Sequence, residues 1–164
     1  YLNQGLELGR SFVQPRYWGK RSLDYLWYGI GAYLNAHPDI RYLFGPVSIS
    51  NTYSPEARDL LVNYYGQKYR DNKQLVTAKN PYAPPTATET GDFNELKSKL
   101  SALGYKIPTL YKQYTEICEP TGVRFHDFAL DNDFGDCIDG FIIVDTNQLK
   151  PSRRKRYMGQ PLTV

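Results

Sequence analysis

A carboxylate inside an apolar strand, followed by a basic loop that opens a helix, is the arrangement in this sequence whose residue types call for chemistry. Glu7 lies in LELGRSFV, residues 6–13, and Arg16, Lys20 and Arg21 lie in the loop before a helix that begins near Ser22. Backbone N–H groups at a helix N-terminus, beside basic side chains, can hold a phosphate or pyrophosphate. Gly19 permits close backbone approach in that loop, Arg16-Tyr17-Trp18-Gly19-Lys20-Arg21-Ser22. The same loop also reads as a basic surface turn. Burial would make Glu7 a proton acceptor near neutral pH, whereas pairing with Arg10 or Arg41 would make it structural.

The other candidates are weaker. Asp131, Asp133 and Asp136 depart from the spacing of a calcium loop and read as a tight turn. His37 precedes a proline and marks a helix end; His126 alternates with Phe125 and Phe128 on a strand and reads as structural. Ser48 and Ser50 share a strand face but lack a nucleophile-elbow setting. Cys118 and Cys137 have no metal-ligand spacing and read as buried free thiols. No metal site is expected.

These residues need a scaffold, and 164 residues suffice for a single domain over 1–164. No apolar run reaches the roughly 18 residues of a membrane span. The chain begins with Tyr1, which reads as an excised piece of a longer protein. The net charge of +3 hides an asymmetry. Lys150, Arg153, Arg154, Lys155 and Arg156 crowd into seven residues, and the remainder carries 15 basic against 17 acidic residues. The segment 150–164 therefore reads as a basic tail: a solvated run, or a patch for an anionic membrane or an acidic carrier protein. No recognised module accompanies it that would indicate nucleic acid. Tyrosine supplies 15 of the aromatic residues, a type suited to pocket walls and interfaces.

Periodicity gives the elements. Residues 6–13 read as a strand ended by Pro15, with Leu6, Leu8, Arg10 and Phe12 on one face. Ser22 caps a helix to about residue 36, with Leu23, Leu26, Trp27, Ile30, Tyr33 and Leu34 along its apolar face. Residues 41–50 read as a second strand, with a bulge or splayed edge at Gly45-Pro46. A helix capped by Ser54 runs from Pro55 to about Arg70, and 71–91 form a long loop. Helices follow from Asp92 and from Pro108 to Cys118, then strands at Val123 to Leu130 and Ile138 to Val144. The order predicts an α/β layered fold with a mixed sheet.

Three segments carry a family resemblance: ELGRSFVQPRYWGKRSLDYLWYGI, RYLFGPVSISNTY, and GVRFHDFALDNDFGDCIDGFIIVD followed by KPSRRKRYMG. The chain resembles the hemolysin-like, ornithine-lipid-forming N-acyltransferases of the GNAT superfamily. Glu7-Leu8-Gly9-Arg10 also resembles the Glu-x-x-Arg signature of acyl-homoserine lactone synthases. The resemblance implies a GNAT-like mixed sheet flanked by helices and lacking its first three strands. Residues 6–13 would be its fourth strand and 41–50 its fifth, splayed apart to admit a pantetheine arm.

What the resemblance implies for function is an N-acyltransferase of aminolipid synthesis. It would move a fatty acyl group to the amine of an amino acid such as ornithine or glycine. Glu7 would be the base and Arg10 would organise the site. Tyr17, Trp18, Gly19, Lys20, Arg21 and Ser22, with Val47, Ser48, Ile49 and Ser50, would bind the donor. The loop has one glycine where the family has two or three, which favours acyl-4′-phosphopantetheine on an acidic acyl carrier protein over acyl-CoA. Arg16, Arg153, Arg154, Lys155 and Arg156 would dock that carrier or a membrane. No tightly bound cofactor is implied, and the location would be cytoplasmic, peripheral at the inner membrane face. The alternatives are an acyl-homoserine lactone synthase-like enzyme and a non-catalytic docking module.

Overall fold

The computed structural model describes residues 1–9, 12–73, 75–87 and 89–159. Four strands form one sheet: β1 (Gly5–Glu7), β2 (Tyr42–Ile49), β3 (Val123–Asp131) and β4 (Cys137–Asp145), in the spatial order β1-β2-β4-β3. β1 is parallel to β2 and the other pairs are antiparallel. A parallel pair needs a crossover, which α1 (Ser22–Ala36) supplies. Between β2 and β3 come α2 (Pro55–Lys68), α3 (Phe93–Ala102) and α4 (Thr109–Ile117). A last helix, α5 (Pro151–Met158), follows β4. This mixed α/β architecture is consistent with a GNAT-like acyltransferase fold.

The core lies on one face of the sheet. Leu43, Val47 and Ile49 of β2 and Ile138, Ile142 and Val144 of β4 are buried, as two-residue alternation requires. Against them pack Trp27 and Leu34 of α1, Leu61 and Tyr65 of α2, Leu100 of α3, and Tyr111 and Ile117 of α4. β3 holds its alternation by a bulge between Phe125 and Asp127, where His126 is the extra residue. The bulge returns Phe128 to the core, where its ring stacks on that of Phe125 at 5.6 Å. Much of the tyrosine content is spent here. The Tyr111 hydroxyl donates to the Val47 carbonyl at 2.8 Å, in space that Gly140 leaves open.

Helix boundaries follow the local chemistry. The Ser54 hydroxyl accepts from Ala57 N–H with Pro55 in the first turn, and the Asp92 carboxylate accepts from Asn94 and Glu95 N–H. Gly104, at φ +83°, ends α3 with Tyr105 N–H reaching back to Leu100 O at 2.9 Å. The loop 71–91 holds no helix among its described residues, but Asn80 to Tyr82 bond along the free edge of β3. Asp131 to Asp136 form the expected turn. Cys118 and Cys137 are buried and free, and burial pushes the Cys118 thiol up to about 12.

Several expectations need correction. Among the described residues of 6–13, only Leu6 and Glu7 join the sheet, in a strand Gly5–Glu7 that pairs with Tyr42, Leu43 and Phe44 of β2. Arg10 lies outside the described residues. Ser22 does not cap α1; it is the first helical residue, and its hydroxyl donates to Tyr17 O at 3.0 Å. Leu26 and Tyr33 lie exposed, outside the apolar face expected of them. The β2–β4 ladder passes Gly45-Pro46 without a bulge. The basic segment is no tail over 151–158 but a helix laid on α1. Gly31 makes that crossing possible, since a Cβ there would meet Tyr157 O at 2.0 Å.

Candidate functional site

The site begins where β1 and β2 part. Their parallel ladder runs through Gly5–Tyr42, Leu6–Leu43 and Glu7–Phe44, and ends with Leu8 N–H donating to Phe44 O at 2.8 Å. β2 continues to Ile49. Peptide groups alternate sides along a strand, so those of Pro46 and Ser48 face the same edge as that of Phe44. No strand among the described residues pairs with them there. Pro46 has no N–H, so Ser48 supplies the donor at this edge. Gly45, at φ +150°, makes the parting possible: a Cβ on it would lie 3.2 Å from Leu8 O. On the helix side, Tyr114 lines the small cleft bounded by Leu8, Gly45 and Pro46, and burial pushes its phenol up to about 12.

Of the four positions expected to touch a donor, Val47, Ser48, Ile49 and Ser50, Ser48 alone presents its peptide to the open edge of β2. Val47 and Ile49 point into the core. Ser50 lies past the strand; its hydroxyl accepts from the Thr52 N–H and hydroxyl at 3.2 and 3.0 Å, and its carbonyl accepts from Tyr53 N–H.

Glu7 sits at the end of β1, in register with Phe44 and, across the sheet, with Ile143 and Arg124. It is exposed, so the burial that would have raised its basicity is absent. Arg41 is not its partner: that guanidinium grips Asp145 through two bonds, at 3.1 and 2.8 Å. Among the described residues Glu7 has no ion-pair partner.

The loop from Phe12 to Ser22 closes around a groove of about 330 Å³. Phe12, Val13, Tyr17, Trp18, Leu23 and Leu26 make most of its wall apolar. A 3-10 turn over Pro15–Tyr17 and the bond from Trp18 Nε1 to Val13 O, 2.7 Å, shape the loop. Gly19 turns it at φ +73° with open space around its Cα. The Arg16 guanidinium lies over the Tyr17 ring at 4.7 Å and the Lys20 amine at 5.9 Å. The first N–H groups of α1 have no intrahelical partners. Asp24 adds a negative charge to that turn, but Arg21, Arg156 and the Tyr157 hydroxyl all bond to it. Burial works against its charge, yet the bonds from Tyr157, Arg156 and Arg21 outweigh that and hold the carboxyl below its ordinary value.

The basic residues of α5 are less available than a tail would leave them. Arg156 is held by Asp24, Arg153 faces Glu116 at 3.6 Å, and Arg154 donates to Thr146 O at 3.3 Å. Lys155 is exposed and has no partner among the described residues. Sequence reasoning missed Tyr114, whose buried spacing with Tyr111 on α4 was its only trace. It also missed the His126–Asp71 contact. His126 Nδ1 lies 3.2 Å from Asp71 Oδ2, and its side chain is 2% exposed. Among the described residues, no cluster of His, Cys, Asp or Glu could hold a metal, and no helix is long and apolar enough to cross a membrane.

The chain is similar to the glycine N(alpha)-acyltransferase of Bacteroides thetaiotaomicron, 30% identical over 96% of this chain and 52% of that protein. It is likewise similar to the glycine N(alpha)-acyltransferase of Phocaeicola vulgatus, 28% identical over 96% of this chain and 53% of that protein. Both support an acyltransferase family. The chain spans about half the length of these relatives. No protein-family model and no solved structure matches it.

Proposed function

We propose that this chain carries the acyl-donor side of an N-acyltransferase that moves a fatty acyl group from a thioester to the amine of glycine. The observation that carries the reading is the parallel pair that parts at Gly45, with an apolar groove in the loop that follows β1, in a chain similar along 96% of its length to a protein named glycine N(alpha)-acyltransferase. An extended thioester arm entering the parting would find the free Ser48 N–H. That donor would hold the thioester carbonyl and the negative charge that develops on its oxygen. The groove walled by Phe12, Trp18 and Leu26 would take apolar chain, and Arg16, Lys20 and Arg21 would meet the phosphate of the arm.

The amine nitrogen attacks the thioester carbon, the C–N bond forms, the C–S bond breaks and the sulfur leaves as thiolate. Glu7, on the strand that ends at the parting, takes the amine proton directly or through water. The thiolate takes up its proton from solvent. Arg10 would steady Glu7. The donor is acyl-phosphopantetheine on an acidic carrier rather than free acyl-CoA, a preference supported by the basic loop with its single glycine. The relatives' names favour glycine over ornithine as acceptor.

The test is product analysis by mass spectrometry with the full-length protein and acylated carrier. N-acylglycine is the expected product, and Glu7→Gln should lower its rate by about 10²–10⁴. Undiminished turnover by Glu7→Gln would remove that residue from the reaction; formation of N-acylornithine alone would refute glycine as acceptor.

A further inference from the structure

Residues 25–36, YLWYGIGAYLNA, contain no charged residue, yet α1 turns one face to solvent. Trp27, Gly31 and Leu34 point inward, while Tyr25, Leu26, Tyr28, Gly29, Ala32 and Tyr33 stay exposed. A solvated helix face ordinarily carries Lys, Glu or Arg. Next to the start of this helix, Phe12 and Trp18 are 75% and 68% exposed. Seven of the eleven large hydrophobic residues exposed among those described fall between Phe12 and Tyr33, so the apolar surface is concentrated there rather than scattered.

Cations rim the patch. Arg16, Lys20 and Arg21 lie in the loop, and α5, with Arg153, Lys155 and Arg156, runs beside α1, its Tyr157 and Met158 carbonyls against Gly31 and Asn35. Asp24, the acidic residue of α1, is already bonded to Arg21, Arg156 and Tyr157.

We propose that the outer face of α1 and the loop 12–21 form a peripheral docking surface for an anionic phospholipid bilayer. Tyrosine and tryptophan rings, apolar with a polar tip, settle at headgroup depth. A helix with an apolar aromatic face and flanking Lys and Arg lies in the interfacial plane. Anionic headgroups attract the rim within a Debye length, and the uncharged aromatic face of α1 between those cations suits the lipid boundary. The surface shares the loop 12–21 with the proposed donor groove, whereas Tyr25, Tyr28 and Tyr33 take no part in the acyl-transfer reading.

The experiment is co-sedimentation of the full-length protein with vesicles of phosphatidylcholine, alone and mixed with phosphatidylglycerol, at low and high salt. The protein should partition onto the anionic vesicles, less so as salt rises. Tyr25→Ser/Tyr33→Ser should weaken partitioning by about tenfold or more, with the far-ultraviolet circular dichroism unchanged. Lys155→Glu, at an exposed and unpaired position, should weaken it at low salt and provides the test should the double variant fail to fold. Phe134→Ser, on the exposed β3–β4 turn, should bind as the unaltered protein does. The proposal is overturned if the protein ignores anionic vesicles, or if the α1 variants bind as well as the parent. It is equally overturned if those variants abolish self-association or binding of an acidic carrier while vesicle binding persists.

Discussion

Replacing Gly45 with alanine tests the link between the parting of the strands and the chemistry placed there. Gly45 adopts φ +150°, which side-chain-bearing residues rarely accept, and strain of this kind costs about 1–3 kcal/mol. The added Cβ would stand 3.2 Å from Leu8 O and 3.4 Å from Leu8 C, so Leu8 must retreat by a few tenths of an ångström. Leu8 is the residue whose N–H closes the ladder on Phe44, next to Glu7. Gly45→Ala should therefore cost about 2 kcal/mol, or about 4–8 °C in Tm for a chain of this size. A misplacement of about 1 Å at the reacting groups costs up to about 10² in rate, so turnover should fall by about tenfold or more. Gly104→Ala separates the two effects. It has φ +83° and open space around its Cα, at the end of α3, so it should lose similar stability with turnover unchanged. Calorimetry and N-acylglycine formation by the full-length protein read both. If Gly45→Ala turns over as fast as Gly104→Ala, the parting is not where the thioester reacts.

Two further outcomes follow from the packing. Gly31→Ala places a Cβ 2.0 Å from a backbone oxygen of α5, so the helices must separate; a loss of about 1–3 kcal/mol and faster tryptic cleavage at Arg153 to Arg156 are expected, and an unchanged cleavage rate would refute the crossing. Burial holds His126 below its ordinary pKa, with Asp71 pulling the other way and Lys73, Arg41, Arg124 and Asp145 lining the same cavity. The unfolded chain therefore takes up a proton near pH 6.5 that the folded chain takes up only at lower pH. Stability should fall as pH drops through that value, by at most about 1.4 kcal/mol per pH unit, and level off below the folded pKa. Denaturant titrations across this range should show the slope, and His126→Gln should flatten it.

The helices were legible because their apolar spacing and caps are local. Ser54-Pro55, Asp92 with Glu95, and Gly104 mark ends that tertiary contacts did not move. The antiparallel strands were legible because their alternation agrees with the side that is buried, though nothing in Phe125-His126-Asp127-Phe128 announced the bulge. β1 was over-read for a physical reason. LELGRSFV alternates well enough, but a strand extends only as far as its partner stays beside it, and β2 leaves at Gly45. The two alternatives open for Glu7, burial or pairing with Arg10 or Arg41, could not be decided from apolar neighbours in sequence, which do not say what covers that face of the sheet; the structure leaves it exposed.

The basic run was misjudged for the opposite reason. KPSRRKRYM offers a helical pattern almost nothing apolar to register, and α5 folds because Tyr157 and Met158 dock on α1 where Gly31 lets the backbone close in. Docking brings Arg156 to Asp24, and Arg153 and Arg154 to Glu116 and Thr146. Charge that looked free in the sequence is thus largely spent in the fold. Its expenditure on Asp24 cancels the one negative group in the first turn of α1 and leaves Arg16 and Lys20 as the loop cations with no ion-pair partner among the described residues. Arg156 thus acts on the loop by neutralising Asp24, while Lys155, without a partner among the described residues, stays available to a docking surface.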